Sequence, residues 1–423
     1  YYQYISRSDI KFHNKHGVMT VTALMMGSEA WWQSKNGPEW EREDNGDYRV
    51  TFWWRDPQGS EKESSIRRVW VYITGVTDHH QNAVPQSMQR IDGTNVWCWS
   101  ISLSANWRGS YCFIPSDRND IFASLAPGDT PDRAVLREGW RQLLPQAIAD
   151  PLNTQSWKGG RGHAVSALEM PDAPVQPGWD RPENPDSPAV CLQWHSDRLG
   201  NTRRVWVFTT GEANPEERPL AILLDGQFWA HSMPVWPALT SLTHRGQLPP
   251  AVYLLIDAID TPHRSHELPC NADFWLAVQQ ELLPRVKTTT PFSDDPQRTV
   301  VAGQSFGGLA SLYAGLNWPD RFGCVLSQSG SYWWPHRGGH QDGVIIEQLK
   351  AGTLSVQGLR IVLEAGTREP IIFRANQALF AQFPSAPQSI FWRQVEGGHD
   401  ALCWRGGLMQ GLMTLWQPLT DTL

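Results

Sequence analysis

"RTVVAGQSFGGLASLYAGL", Arg298 to Leu316, reads as a short apolar run, a serine between glycines, and then a helix-forming stretch. Thr299 to Ala302 has the β-branched character of a buried strand. "GGLASLYAGL" has the small and apolar residues of a packed helix. Between them, Gly303-Gln304-Ser305-Phe306-Gly307 fits the pattern G-x-S-x-G. Five residues of this kind are weak evidence alone. Their setting between a strand and a helix is what a nucleophile elbow requires. The flanking glycines let the backbone turn sharply without a Cβ clash and put Ser305 at the apex. The amide of Phe306, at the helix N-terminus, then faces any oxyanion that develops beside the serine. The competing reading is a Gly-rich turn with a capping serine.

The same alternation runs through the C-terminal half. "RRVWVF", "LAILLDG", "AVYLLIDA", "RTVVAG", "GCVLSQS", "LRIVLEAG" and "SIFWRQV" are short apolar runs separated by helix-length segments. Continuous apolar strands of this kind predict a mostly parallel sheet with helices on both faces over residues 191–423, and the nucleophile elbow inside it makes an α/β-hydrolase domain the expectation. Before it, residues 171–190 form a Pro-rich linker, with six prolines between Pro171 and Pro188. Further upstream the period changes to two. "YRVTFWW", "RRVWVYI", "VWCWSISL" and "GSYCFI" predict a β-sandwich with a helical extension near Leu136 to Leu144, the whole covering residues 23–170. Residues 1–22 have no regular period and no secretory pattern. They are set apart as a leader, with Met19 and Met25 as candidate starts.

Composition narrows the function. A net charge of −7 argues against non-specific nucleic-acid binding. No run of 18 apolar residues occurs, so no membrane partner is expected. Six cysteines without paired spacing fit a reducing compartment. The 23 tryptophans are read mainly as packing, with an aromatic ligand site as the minority reading.

A serine alcohol needs a base. α/β-Hydrolases supply the partners in the order serine, acid, histidine. "VEGGHDALCW" puts His399 in a glycine-bounded loop after the last strand, where the base belongs. For the acid, "LRIVLEAGTREP" offers Glu364, within or at the tip of a strand, and Glu369, three residues past Gly366. Glu369 is favoured, and a Ser–His pair without a strong acid stays open. Asp400 should point away from its neighbour His399. A second oxyanion donor comes from "ILLDGQFW", as the amide of Gly226 or Gln227, although a plain β-turn explains that stretch equally well.

Longer stretches carry a resemblance. "LLDGQFWAHSMPVWP", "LLIDAIDTPHRSHELPCNADFWLAVQQELLP", "VVAGQSFGGLASLYAGLNWPDRFGCVLSQSGSYWW" and "VEGGHDALCWRGGL" resemble the enterochelin (ferric enterobactin) esterases, within the esterase D-like α/β-hydrolases. "WWRDPQGS", "VWVYITGVTDHH" and "DPLNTQSWKGGRGHAVSALEMP" extend the likeness through the N-terminal half. The resemblance implies a cytoplasmic enzyme that hydrolyses the three ester bonds of the enterobactin trilactone to 2,3-dihydroxybenzoylserine, so that iron is released. It carries Ser305 and His399 over as nucleophile and base, and Glu369 as acid. No cofactor and no protein-bound metal are implied, because the iron belongs to the substrate.

A ferric tris-catecholate is an anion with aromatic arms, so a cationic, aromatic pocket is expected. The stretches "TPHRSHEL", "SYWWPHRGGH", "GTREP" and "CWRGG", read as loops after strands, supply candidates. Arg264 comes first, because the family motif places an arginine there. Trp333, Arg337, Arg368 and Trp404 follow, each with ordinary packing or a solvated charge as its competing reading. His263 and His266 lack the carboxylate or thiol spacing of a metal site. Two other functions compete: a secreted feruloyl or acetyl esterase with a carbohydrate-binding sandwich, and a non-catalytic siderophore-binding protein. The missing signal and the N-terminal likeness count against the first. The complete Ser, Glu, His order counts against the second.

Overall fold

The period-two stretches build two antiparallel sheets. Strands β1 (Glu39–Arg42), β2 (Tyr48–Arg55), β3 (Arg68–Ile73), β4 (Gln86–Ser87), β5 (Gln89–Arg90), β6 (Val96–Leu103), β7 (Arg108–Ser116), β8 (Ser156–Lys158) and β9 (Ala164–Glu169) pair in the orders β1-β2-β6-β5 and β4-β3-β7-β9-β8. The inward residues Val50, Phe52 and Trp54 of β2 meet Val69, Val71 and Ile73 of β3 in one core. In β3 the other face is buried as well, because Trp70 and Tyr72 pack under helix Arg133–Leu143 through Leu136, Trp140 and Leu143. The shortest strands exist only through their pairing, so no sequence period marked them.

This is a computed structural model, and it describes residues 24–77, 86–122, 132–158, 163–337, 341–385 and 388–417. The leader read over residues 1–22 lies outside them. No described helix is long and apolar enough to cross a membrane.

The C-terminal half forms one eight-stranded sheet in the order β10-β11-β13-β12-β14-β15-β16-β17. Its strands are β10 (Val190–Ser196), β11 (Asn201–Thr209), β12 (Leu220–Leu223), β13 (Val252–Ile256), β14 (Thr299–Gln304), β15 (Cys324–Gln328), β16 (Arg360–Gly366) and β17 (Ile390–Val395). From β13 to β17 the neighbours are parallel, and β10 and β11 add an antiparallel edge. All residues of β12, β13, β14 and β15 are buried, which is why they read as unbroken apolar runs. Two separate apolar cores cover the two faces.

Residues 171–189 contain neither helix nor strand, yet they are not a free tether. Gln176 is buried and donates to the Leu402 carbonyl (2.7 Å), and Trp179 donates from its indole to the Arg405 carbonyl (2.9 Å). This segment fastens the first domain to the helix Ala401–Leu415.

Candidate active site

Residues at or beyond the C-terminal ends of β12, β13, β14 and β17 line one cleft, as expected of ligand sites in open α/β sheets. β14 runs two residues further than its apolar run and delivers Ser305 directly. Ser305 has φ 59° and ψ −121°, a conformation that costs a non-glycine residue about 1–3 kcal/mol and persists only where its surroundings enforce it. A Cβ on Gly303 would collide with the Gly307 backbone, so strand and helix approach this closely only with glycine there. The turn is held by bonds from Ser305 N to the Gln328 carbonyl (3.1 Å) and from Ser331 N to the Ser305 carbonyl (3.2 Å). The Ser305 and Ser331 hydroxyls lie 3.4 Å apart.

His399 follows β17, and its Nδ1 lies 2.6 Å from Oε1 of Glu369. Glu369 is fully buried. Its other oxygen accepts from Ser329 Oγ (2.7 Å) and from the Gly366 amide (2.7 Å). These bonds fix the carboxylate with one oxygen turned to the imidazole. Trp404 sets its ring edge-on to His399, with centroids 4.7 Å apart, and its indole donates to Ser329 Oγ (2.9 Å). Ser329 has φ 50°, a second strained non-glycine residue at a strand end.

Glu364 occupies a different environment. Gln304, Gln328, Glu364 and Arg393 are register partners on successive strands and form a polar row across the sheet. Trp229 donates to Gln304 (3.0 Å), Gln304 to Gln328 (2.9 Å), and Gln328 to Glu364 (2.8 Å). Arg393 lies 3.4 Å from Glu364. Burial pushes the Glu364 carboxyl up to about 7, with Arg393 and Gln328 working against it. Its carboxyl is engaged by neighbours within the sheet, whereas Glu369 sits in the loop beyond β16.

The cleft has a volume of about 530 Å³ and is lined by both domains. Ser305, His399, Gln227, Arg264 and Trp404 line one side, and Tyr72, Gly75, Ser110, Trp157 and His163 contribute the other. Nothing in the sequence singled out these residues of the first domain. Ser329 was legible in principle, since it directly follows a buried parallel strand. Asp400 turns away from the imidazole, as expected: its Oδ2 accepts from the amide (2.6 Å) and hydroxyl (2.8 Å) of Ser110.

Gly226 packs against the β13 backbone, where a Cβ would lie 2.5 Å from Ile256 N. Gln227 uses its side-chain oxygen to accept from Ala258 N (2.9 Å). Phe306 begins helix Phe306–Asn317, where the first amides have no intrahelical partner. Trp333 packs against Phe306, with centroids 6.0 Å apart. Arg337 is exposed, and Arg368 pairs with Glu396 at 3.0 Å. Trp333, Arg337 and Arg368 are not among the described residues that line the cleft.

Two stretches expected as loops are helical. "TPHRSHE" forms helix Thr261–Glu267, because Asp260 caps its first turn by accepting from His263 N and Pro262 suits the first turn. "CWRGG" lies within helix Ala401–Leu415, capped by Asp400. Arg264 is therefore held rigidly. It grips Asp225 with two bonds (2.8 and 3.0 Å) and donates to the Gln304 carbonyl (3.3 Å), next to the serine. Burial works against its charge, but Asp225 outweighs that and raises its pKa. Its charge is thus largely answered from within the protein.

An expected result follows. Arg264→Ala leaves Asp225 without its partner and loosens the turns on both sides of Ser305. Turnover of a neutral small ester should fall together with that of a large anionic one, each by about ten- to a hundredfold for a lost charged hydrogen-bond pair. Steady-state kinetics on both substrates check this. A loss confined to the anionic substrate and abolished by salt would instead make Arg264 a reader of substrate charge.

The model of the "Enterochelin esterase, N-terminal" family matches residues 49–179, and that of the "Putative esterase" family matches residues 196–415. The iron(III) enterobactin esterase of Escherichia coli K12 is 75% identical over 399 residues, covering 94% of this chain and 99% of that protein. The iron(III) enterobactin esterase of Dickeya dadantii is 48% identical over 419 residues, covering 93% and 94%. The crystal structure of ferric enterobactin esterase from Salmonella typhimurium matches with a TM-score of 0.91 and 77% identity, covering 93% of this chain and 100% of that one. An enterobactin esterase from Shigella flexneri, crystallised in the presence of enterobactin, matches with a TM-score of 0.85 and 73% identity, over 94% and 100%. With both family models matched in order and relatives aligned along nearly their whole length, this chain is a hydrolase that belongs to the enterochelin esterase family.

Proposed function

We propose that this enzyme hydrolyses the three ester bonds of the ferric enterobactin trilactone, with Ser305 as nucleophile, His399 as base and Glu369 as the group that orients it. One observation carries the reading: the 2.6 Å bond between His399 Nδ1 and the buried Glu369, with His399 lining the cleft that holds the strained Ser305. Ser305 Oγ attacks the ester carbonyl while His399 Nε2 takes its proton. Glu369, facing Nδ1–H, stabilises the imidazolium. The amide of Phe306, with that of Gly226 or Gln227, receives the oxyanion. Collapse expels the substrate's serine hydroxyl, which takes the proton from His399. Water, deprotonated by the same histidine, then releases the acyl group. Repetition carries the ring through linear chains to 2,3-dihydroxybenzoylserine, and iron is released from the shortened ligands. The iron is cargo of the substrate, and no step uses a protein-bound metal or cofactor. The reaction belongs in the cytoplasm, after import of the ferric siderophore.

The test is chromatography of ferric enterobactin after incubation with the enzyme, with a feruloyl ester in parallel. Appearance of linear chains and 2,3-dihydroxybenzoylserine, with slow feruloyl turnover, is the expected result. Faster feruloyl cleavage, or binding without products, would overturn it.

Ser329 offers a sharper check of the acid. Ser329→Gly removes a donor from the buried Glu369 carboxylate, and kcat should fall about tenfold or more, as for a hydrogen bond to a charged group. The thermal midpoint should fall, because the buried Glu369 carboxylate and the Trp404 indole each lose a partner, with glycine's ease at φ 50° offsetting only part of that cost. Unchanged kcat would remove Ser329 from the orientation of the triad.

A further inference from the structure

The loop that carries His399 is held from outside its own domain. It spans residues 396–400, between β17 and helix Ala401–Leu415. At its start, Ser104 donates to Glu396 (2.9 Å), which also accepts from Thr367 (2.8 Å) and Arg368 (3.0 Å). In its middle, Gly398 lies against Gly75, in the turn after β3. A Cβ on Gly75 would sit 2.8 Å from Gly398 Cα, and one on Gly398 would sit 2.9 Å from Gly75 Cα. Gly75 has φ 76°, and both glycines therefore serve one backbone-to-backbone approach. At its end, Asp400 uses one oxygen to cap the following helix and the other to accept both bonds from Ser110 of β7. One turn into that helix, the Cys403 thiol donates to the Arg108 carbonyl (3.3 Å).

The residues immediately before and after His399 are thus both fixed by the N-terminal domain. The imidazole's position depends on the backbone between them. We infer that the N-terminal domain is a positioning element of the catalytic machinery, setting His399 against Ser305 through Gly75 and Ser110, in addition to walling the cleft. The inference rests on the reading of His399 as the base. Its consequence is specific. Disturbing the clamp should lower kcat for a small ester without catecholate arms to bind, whereas a domain that only bound substrate would change KM and leave kcat for such an ester unaffected.

The experiment uses the full chain and p-nitrophenyl acetate as a small neutral ester. In Gly75→Ala the new methyl presses on Gly398. The kcat should fall about ten- to a hundredfold with KM little changed, the cost of displacing a catalytic group by a fraction of an ångström or more. Ser110→Ala removes the hydroxyl bond and keeps the amide bond, so a smaller loss in kcat is expected, again without a rise in KM. Near-UV circular dichroism and the thermal midpoint identify folded variants. Should Gly75→Ala not fold, Ser110→Ala carries the test. Folded variants with wild-type kcat on p-nitrophenyl acetate would overturn the inference. His399→Ala in the same assay separates the two levels. If it keeps the wild-type rate, the base assignment fails. If it collapses while Gly75→Ala and Ser110→Ala stay at the wild-type rate, only the clamp fails.

Discussion

Ser305→Ala should reduce turnover of ferric enterobactin by about four to six orders of magnitude, leaving only what binding and the oxyanion donors sustain. The variant should stay folded. Among the described residues the hydroxyl makes one long contact, 3.4 Å to Ser331, and the strained turn is held by backbone bonds that alanine keeps. Alanine enters the same φ of 59° at no greater cost than serine. The measurement is kcat on purified protein, together with a thermal midpoint close to wild type. The loss should appear on p-nitrophenyl acetate as well, because the nucleophile is common to every ester. Near-normal turnover of either substrate would return Ser305 to a capping residue.

Glu369→Gln should cost about three to four orders of magnitude in kcat, in line with replacing a triad carboxylate by its amide. Glu369 accepts three bonds from donors, and an amide must turn its NH₂ toward one of them. Facing His399, that NH₂ holds the imidazole in the wrong tautomer. Glu364→Gln should change kcat much less, because Glu364 belongs to the polar row across the sheet. Its signature should be in stability instead. Burial raises the folded-state pKa of Glu364 from 4.5 to about 7, so the folded protein keeps a proton that the unfolded chain has already lost. The stability linked to this group is full below about pH 4.5 and is lost as pH rises through 7. At about 1.4 kcal/mol per pKa unit, the loss is about 3 kcal/mol. Urea midpoints at pH 5 and pH 8 should therefore differ more in wild type than in Glu364→Gln. The reverse ranking of activities would move the acid to Glu364. Equal, small losses would favour a Ser–His pair.

The elbow, the histidine and the parallel sheet were legible because their causes are local. A buried parallel strand must be apolar throughout, so β14 and its neighbours announce themselves. A turn as sharp as that at Ser305 needs glycine beside it, and the order of strand, serine and helix lies within twenty residues. His399 could be found because it follows the last such strand. The long peptide likeness named the family for the same reason: it is a property of the chain in one dimension.

The rest was decided in three dimensions. Glu364 and Glu369 stand five residues apart, and only pairing with β15 and β17 turns one into the sheet and leaves the other beside His399. Arg264 looked like a free charge because Asp225 lies 39 positions away along the chain. The grip of Gly75 and Ser110 on the histidine loop joins residues about 290 or more positions apart, and the first domain's wall of the cleft likewise meets the site only across domains. Glycine and serine carry no pattern that points to such a partner. Their meaning comes from the packing of one domain on the other, which the separate periods of the two domains do not encode.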